Sequence, residues 1–264
     1  MAVASKNMQY VRLGNSGLKI SKIILGCMTY GNPSWGGSWV LGEDDALQHI
    51  KEAYELGINT FDTADAYSNG ESEVVLGKAI KQLRLPREEI VIMTKLGIAV
   101  SRDPDEALYG SAELDSKGYV NQYGLSRKHI FDAVKASLRR LDVEYIDLLQ
   151  CHRFDPDTPI GETMQALHDV VKAGYVRYLG MSSCYAHQFA AMQNYALTHT
   201  LTPFISMQNQ YNLLYREEER EMFPTLKQFG VESVPWSALA RGALARPLAA
   251  QSKRVEGASN FNLD

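Results

Sequence analysis

Four residues of this chain have the types and spacing to do chemistry on a carbonyl group. Asp62, Lys95 and His152 each close or directly follow an apolar run, and Tyr67 lies one short loop beyond Asp62. Taken singly, each has a plain structural role. An Asp at a strand end caps a turn or helix, a Lys there is a solvated charge, and a His is a satisfied structural side chain. Together they form a set. A tyrosine has an ordinary pKa of about 10, so it donates a proton efficiently near neutrality only beside a cation. Lys95 can supply that charge, Asp62 can hold Lys95, and His152 can orient a carbonyl or share its proton. Such a set needs neither a metal nor a covalent nucleophile.

These residues are positioned by a repeating unit of strand, loop, amphipathic helix and glycine. The predicted strands are Ile23–Leu25, Asn59–Asp62, Ile90–Thr94, Tyr145–Gln150, Val176–Gly180, Phe204–Met207 and Val231–Pro235. Most are apolar throughout, as strands covered on both faces of a parallel sheet must be. Ile130, Val134, Leu138 and Leu141 keep helical spacing, as do Ile160, Met164, Leu167 and Val171. Gly57, Gly174 and Gly230 stand where each helix must end. Strands alternating with helices predict parallel βαβ units. Further polar residues fall at strand ends: Ser182 with Ser183, Gln208, and Trp236 with Ser237. A barrel brings such ends together on one face, where its active sites lie. A doubly wound sheet would carry a glycine-rich phosphate loop after its first strand. Gly26–Gly31 (GCMTYG) is not one.

Two segments stand outside the repeat. Asn15-Ser16-Gly17, between short apolar stretches, predicts a β-hairpin ahead of the first strand. Leu96–Gly124, rich in Asp, Gly, Ser and Tyr, reads as a substrate-side loop, with a merely solvated insertion as the alternative. With no linker or low-complexity tract, residues 1–264 read as one domain.

Composition narrows the partners. With 27 basic and 31 acidic residues, net charge −4, the chain carries neither a nucleic-acid footprint nor a polybasic membrane patch. Its apolar runs are too short to span a bilayer, and the N-terminus lacks a secretory pattern. Three cysteines, Cys27, Cys151 and Cys184, suit a reducing cytoplasm and read as small buried hydrophobes. Cys151 and His152 are neighbours on a strand and point to opposite faces, so they do not form a dyad.

The motifs also carry a resemblance. Asn59–Ser72 (NTFDTADAYSNGES), Ile92–Lys95 (IMTK), Leu148–Asp155 (LLQCHRFD), Val176–Ser183 (VRYLGMSS) and Pro235–Gly242 (PWSALARG) resemble, in order and spacing, segments of the aldo-keto reductase family. VRLGNSGLKIS, Gly124–Ile130 (GLSRKHI) and Tyr211–Glu217 (YNLLYRE) are most similar to its fungal aryl-alcohol dehydrogenase-like members. The resemblance implies NADP(H)-dependent, reversible reduction of small-molecule aldehydes or ketones, aryl aldehydes in particular, to alcohols. It implies that Tyr67 is the general acid, tuned by Lys95 and Asp62, while His152 directs the carbonyl. Asp62 would also face the cofactor. Ser182 and Gln208 would hold the nicotinamide carboxamide, with Ser183 where many members carry Asn. Trp236 would stack on the ring, and Ser237, Leu239 and Arg241 would lie beside the pyrophosphate.

The expected fold is therefore a (β/α)8 TIM-type barrel with an N-terminal hairpin, lacking its last β/α unit. Ala243–Asp264 has no β-branched run for an eighth strand. In the family that unit grips the adenosine 2′-phosphate, so the resemblance also implies a weaker hold on NADPH. The alternative is a catalytically impaired or regulatory cofactor-binding homologue. Monomer and dimer across the open edge both stay open. Tyr30, Trp35, Trp39 and Tyr109 lie in loops that could wall an aromatic pocket.

Overall fold

The computed structural model describes residues 7–108, 113–247 and 250; Tyr109 and most of Ala243–Asp264 lie outside these. The chain opens with β1 (Tyr10–Arg12) and β2 (Lys19–Ser21), an antiparallel hairpin pairing Tyr10 with Ser21. The Ser16 hydroxyl closes its turn, donating to the Leu13 carbonyl at 2.7 Å and accepting from the Leu18 amide at 3.2 Å. A lone hairpin is marginal in water. This one is held by burying Leu13 and Ile20 against Val91, Met93, Leu148 and Val234 inside the sheet. The Asn15 amide donates to the Gly230 carbonyl and the Tyr10 hydroxyl to that of Gly57. Both glycines precede strands, so the hairpin covers the end of the barrel opposite the candidate site.

Seven parallel strands follow: β3 (Leu25–Gly26), β4 (Thr60–Asp62), β5 (Val91–Leu96), β6 (Ile146–Cys151), β7 (Val176–Ser182), β8 (Phe204–Gln208) and β9 (Glu232–Ser233). They lie side by side in chain order. All seven predicted runs became strands. The outermost two are the shortest, since each is paired along one side only. A one-turn α1 (Pro33–Gly36) follows β3, and the crossovers are α2 (Glu43–Glu55), α3 (Glu71–Gln82), α4 (Arg127–Leu141), α5 (Ile160–Lys172), α6 (Ala186–Thr198) and α7 (Met222–Phe229). Gly57, Gly174 and Gly230, at φ of 98°, 81° and 66°, supply the left-handed turns that release helices into strands.

The sheet is rolled. In a flat sheet β4 and β8, four strands apart, would be separated by roughly 19 Å. Instead Gln208 donates to Asp62 at 3.1 Å, and Gln150 of β6, between them, touches both. One layer of inward side chains drawn from alternate strands is the interior of a TIM-type barrel. Among the described residues no eighth strand joins β9 to β3; only a 3-10 turn, Ala240–Ala245, follows β9. The main core lies between sheet and helices, and Phe61, Ile92, Leu149 and Leu179 point into it. Their strand neighbours Asp62, Met93, Gln150 and Gly180 therefore point inward. Gly180 leaves room for that layer: a Cβ there would lie 2.5 Å from Ser206 Oγ and 3.1 Å from Gln150 Cγ.

The long connection between β5 and α4 has a small core of its own. Ala99, Leu108 and Tyr119 are buried together, with Leu114 packed against them.

Candidate active site

Period-two alternation decides which residues reach the site. Met93 and Lys95 share the inward face of β5; Leu148, Gln150 and His152 share that of β6 and its end. Cys151, of opposite parity, is buried in the outer core, where loss of hydration drives its thiol pKa well up. It is no partner for His152. Cys27 is likewise fully buried and Cys184 partly so.

The four candidate residues converge. Lys95 Nζ donates to Asp62 Oδ2 at 2.6 Å, to the Thr63 carbonyl at 3.0 Å and to the Tyr67 hydroxyl at 3.1 Å. The Tyr67 and His152 rings meet edge to face, with centroids 5.6 Å apart. The second Asp62 oxygen accepts from Gln150 at 2.9 Å and Gln208 at 3.1 Å. A buried ion pair is tolerable when its remaining valences are satisfied, and the residues of this cluster come from four strands.

Burial shapes the protonation states. It opposes the Lys95 ammonium, but Asp62 and Tyr67 outweigh that and hold its pKa up at about 12. Burial pushes the Tyr67 phenol above its ordinary range, against the pull of Lys95. Lys95 pulls in the expected direction, toward a more acidic phenol, and burial outweighs it. A phenolate would be enclosed, and the loss of hydration exceeds the attraction of the cation. Burial, then Lys95, then Arg153, drive His152 well below its usual value, so its imidazole is neutral.

Residues 22–259 match the model of the aldo/keto reductase family. The chain belongs to that family. It is 50% identical to an aldo-keto reductase of Fusarium vanettenii, over 99% of this chain and 72% of that protein. It is 52% identical to the versiconal hemiacetal acetate reductase of Aspergillus parasiticus, over 93% of this chain and 71% of that one. An aryl-alcohol dehydrogenase-like protein of Schizosaccharomyces pombe is 49% identical, over 96% and 73%. As an aldo-keto reductase it is an oxidoreductase acting on aldehydes or ketones, served by a nicotinamide cofactor.

The predicted cofactor-side residues border the same space. A cavity of about 470 Å³ is lined by Asp62, Tyr67 and His152 together with Ser182, Gln208, Trp236, Ser237, Leu239 and Arg241. Ser183 stands behind this wall. Its hydroxyl accepts from the Trp236 indole at 3.1 Å and its amide donates to the Gln208 carbonyl at 3.0 Å, fixing the ring edge. Ser182 donates to the same carbonyl at 2.9 Å. From Ser237 to Gly242 the loop is tightly wound, with Ser237, Ala240, Arg241 and Gly242 all at positive φ.

The loop aromatics fall elsewhere than expected. Tyr30 is buried in the outer core, its hydroxyl 3.4 Å from His49 Nδ1, and does not wall the cavity. Trp35 and Trp39 pack with Val40 and Ala64 against Tyr67, bracing its ring from behind. Tyr109 lies outside the described residues. Two site residues went unnoticed in the sequence. Gln150 is polar within an apolar strand and two positions from His152, a signal that parity alone could have read. Arg153 lines the cavity and donates to the His152 carbonyl at 2.6 Å; its position directly after His152 was the only clue.

Proposed function

We propose that this aldo-keto reductase is NADP(H)-dependent and reversibly reduces aldehydes or ketones, aryl aldehydes in particular, to alcohols, with Tyr67 as general acid. The observation that carries this reading is the single ammonium of Lys95, bonded at once to Asp62 and to the Tyr67 hydroxyl beside a neutral His152.

The residues fit a nicotinamide. A partly exposed indole, an amide and a hydroxyl at adjoining strand ends match a flat heterocycle bearing a carboxamide. When bound, that cofactor supplies the hydride. The chain's part is to hold and move a proton. Neutral His152 can donate a hydrogen bond to the substrate oxygen. Tyr67 gives its proton to that oxygen as it gains charge, and Lys95, kept cationic by Asp62, stabilises the phenolate left behind. The apolar neighbours Ile24 and Met28 favour an aromatic substrate, in keeping with the name of the similar aryl-alcohol dehydrogenase-like protein.

The test is NADPH oxidation with a panel of aryl aldehydes, run beside Tyr67→Phe and repeated with NADH. Turnover in the parent and its loss in the variant are expected. Full activity in Tyr67→Phe would remove Tyr67 as the acid. A fluorescence titration with NADPH distinguishes a second role: tight binding without turnover would mark a regulatory, cofactor-holding homologue.

A further inference from the structure

Directly after Tyr67 the backbone does something costly. Ser68, Asn69 and Gly70 lie consecutively in the left-handed region, at φ of 48°, 51° and 93°. Asparagine tolerates that conformation better than most side chains. Here its carboxamide is also engaged over both ends. Asn69 Nδ2 donates among the carbonyls of Glu106 (2.8 Å), Asp103 (3.1 Å) and Pro104 (3.3 Å), and Oδ1 accepts from the Ser101 amide at 3.1 Å. One side chain thus reads the whole 101–106 segment of the long loop. The next residue, Ala107, packs in the cluster that braces the Tyr67 ring together with Trp35, Trp39 and Val40. Asn32 reaches the same segment from the other side, donating to Asp105 at 3.2 Å while its own oxygen caps α1, which carries Trp35. The contacts close a ring: Tyr67, the left-handed turn, Asn69, residues 101–106, Ala107 and Tyr67 again.

We infer that Asn69 is a positioning residue, which ties the Tyr67 turn to the 101–106 segment and so fixes the wall that aims the Tyr67 hydroxyl. The inference deepens the proposed function and rests on it for its catalytic consequence. The side chain must be both donor and acceptor. An aspartate of equal size would turn a carboxylate toward three carbonyl oxygens, and a glycine would keep the backbone turn but release the loop.

Asn69→Gly and Asn69→Asp in the full chain test this, by hydrogen–deuterium exchange over residues 101–106 and by aryl-aldehyde turnover. In both variants local exchange should rise at least about tenfold. A misplaced acid should lower kcat by roughly ten- to a hundredfold with KM for NADPH unchanged. If Asn69→Gly does not fold, the isosteric Asn69→Asp carries the test. Unchanged exchange overturns the tether, and faster exchange with undiminished kcat overturns its role in aiming Tyr67. Exchange needs no turnover. A parent chain inert toward every aldehyde would thus sink the proposed function, while exchange still decides the tether.

Discussion

The Lys95 ammonium lies 2.6 Å from the Asp62 carboxylate in a pair that is almost wholly enclosed. Removing one partner strands the other in a medium that solvates it poorly. Lys95→Met should cost about 3–5 kcal/mol of stability by denaturant unfolding. The double variant Lys95→Met/Asp62→Asn, which keeps an oxygen for Gln150 and Gln208, should regain much of that loss but no activity. A single variant as stable as the parent would mean that the pair carries no structural weight.

Tyr67 is held above its ordinary range, so it keeps its proton through neutrality. The reductive rate should therefore be flat across neutral pH and fall only above the usual tyrosine value of about 10. The oxidative direction, which needs the phenolate, should rise with pH. Tyr67→Phe should lower kcat by about 10²–10⁴-fold with the fold unchanged. A reductive profile that drops near neutrality would contradict a protonated Tyr67.

His129, buried at the start of α4, has its pKa lowered to about 4 by burial, and burial shifts His152 in the same direction. Below the unfolded value of about 6.5 the unfolded chain takes up protons that the folded one refuses, so stability is complete above that pH and falls beneath it. The loss attributable to His129 between pH 6.5 and 4 is about 3 kcal/mol. Unfolding curves for His129→Gln should show a shallower acid slope than the parent's. An identical slope would clear His129 of the effect.

At Gly180 the layer that holds Asp62 has no spare volume. Gly180→Ala should destabilise the protein by about 1–3 kcal/mol and slow turnover by shifting Gln150 away from Asp62. Adding Ser206→Ala, which removes the closest atom, should recover part of both. Thermal melts and initial rates measure this, and a neutral Gly180→Ala would show the layer to be slack.

The sequence by itself was enough for the order of the elements and most of the site. Apolar runs that do not alternate mark strands covered on both faces. Polar residues at their ends must then converge once the strands lie parallel. That is why Asp62, Lys95 and His152 could be grouped across ninety positions of chain. Local rules also read the hairpin at Asn15–Gly17 and the helix-ending glycines, because turn chemistry is written in a few adjacent residues.

Tertiary structure decided what depends on distance and dielectric. Rolling the sheet brought Gln150 and Gln208 onto Asp62, a contact between strands that sit far apart in any flat arrangement. Enclosure outweighed the pull of Lys95 on Tyr67, since the cost of burying a phenolate depends on surroundings that no local pattern encodes. Loop residues were the least legible. Tyr30 went to the core, Trp35 and Trp39 went behind Tyr67, and Asn69 found its partners more than thirty positions along the chain. Strand positions inherit their direction from a period of two, whereas loop side chains have no such period and point wherever packing sends them.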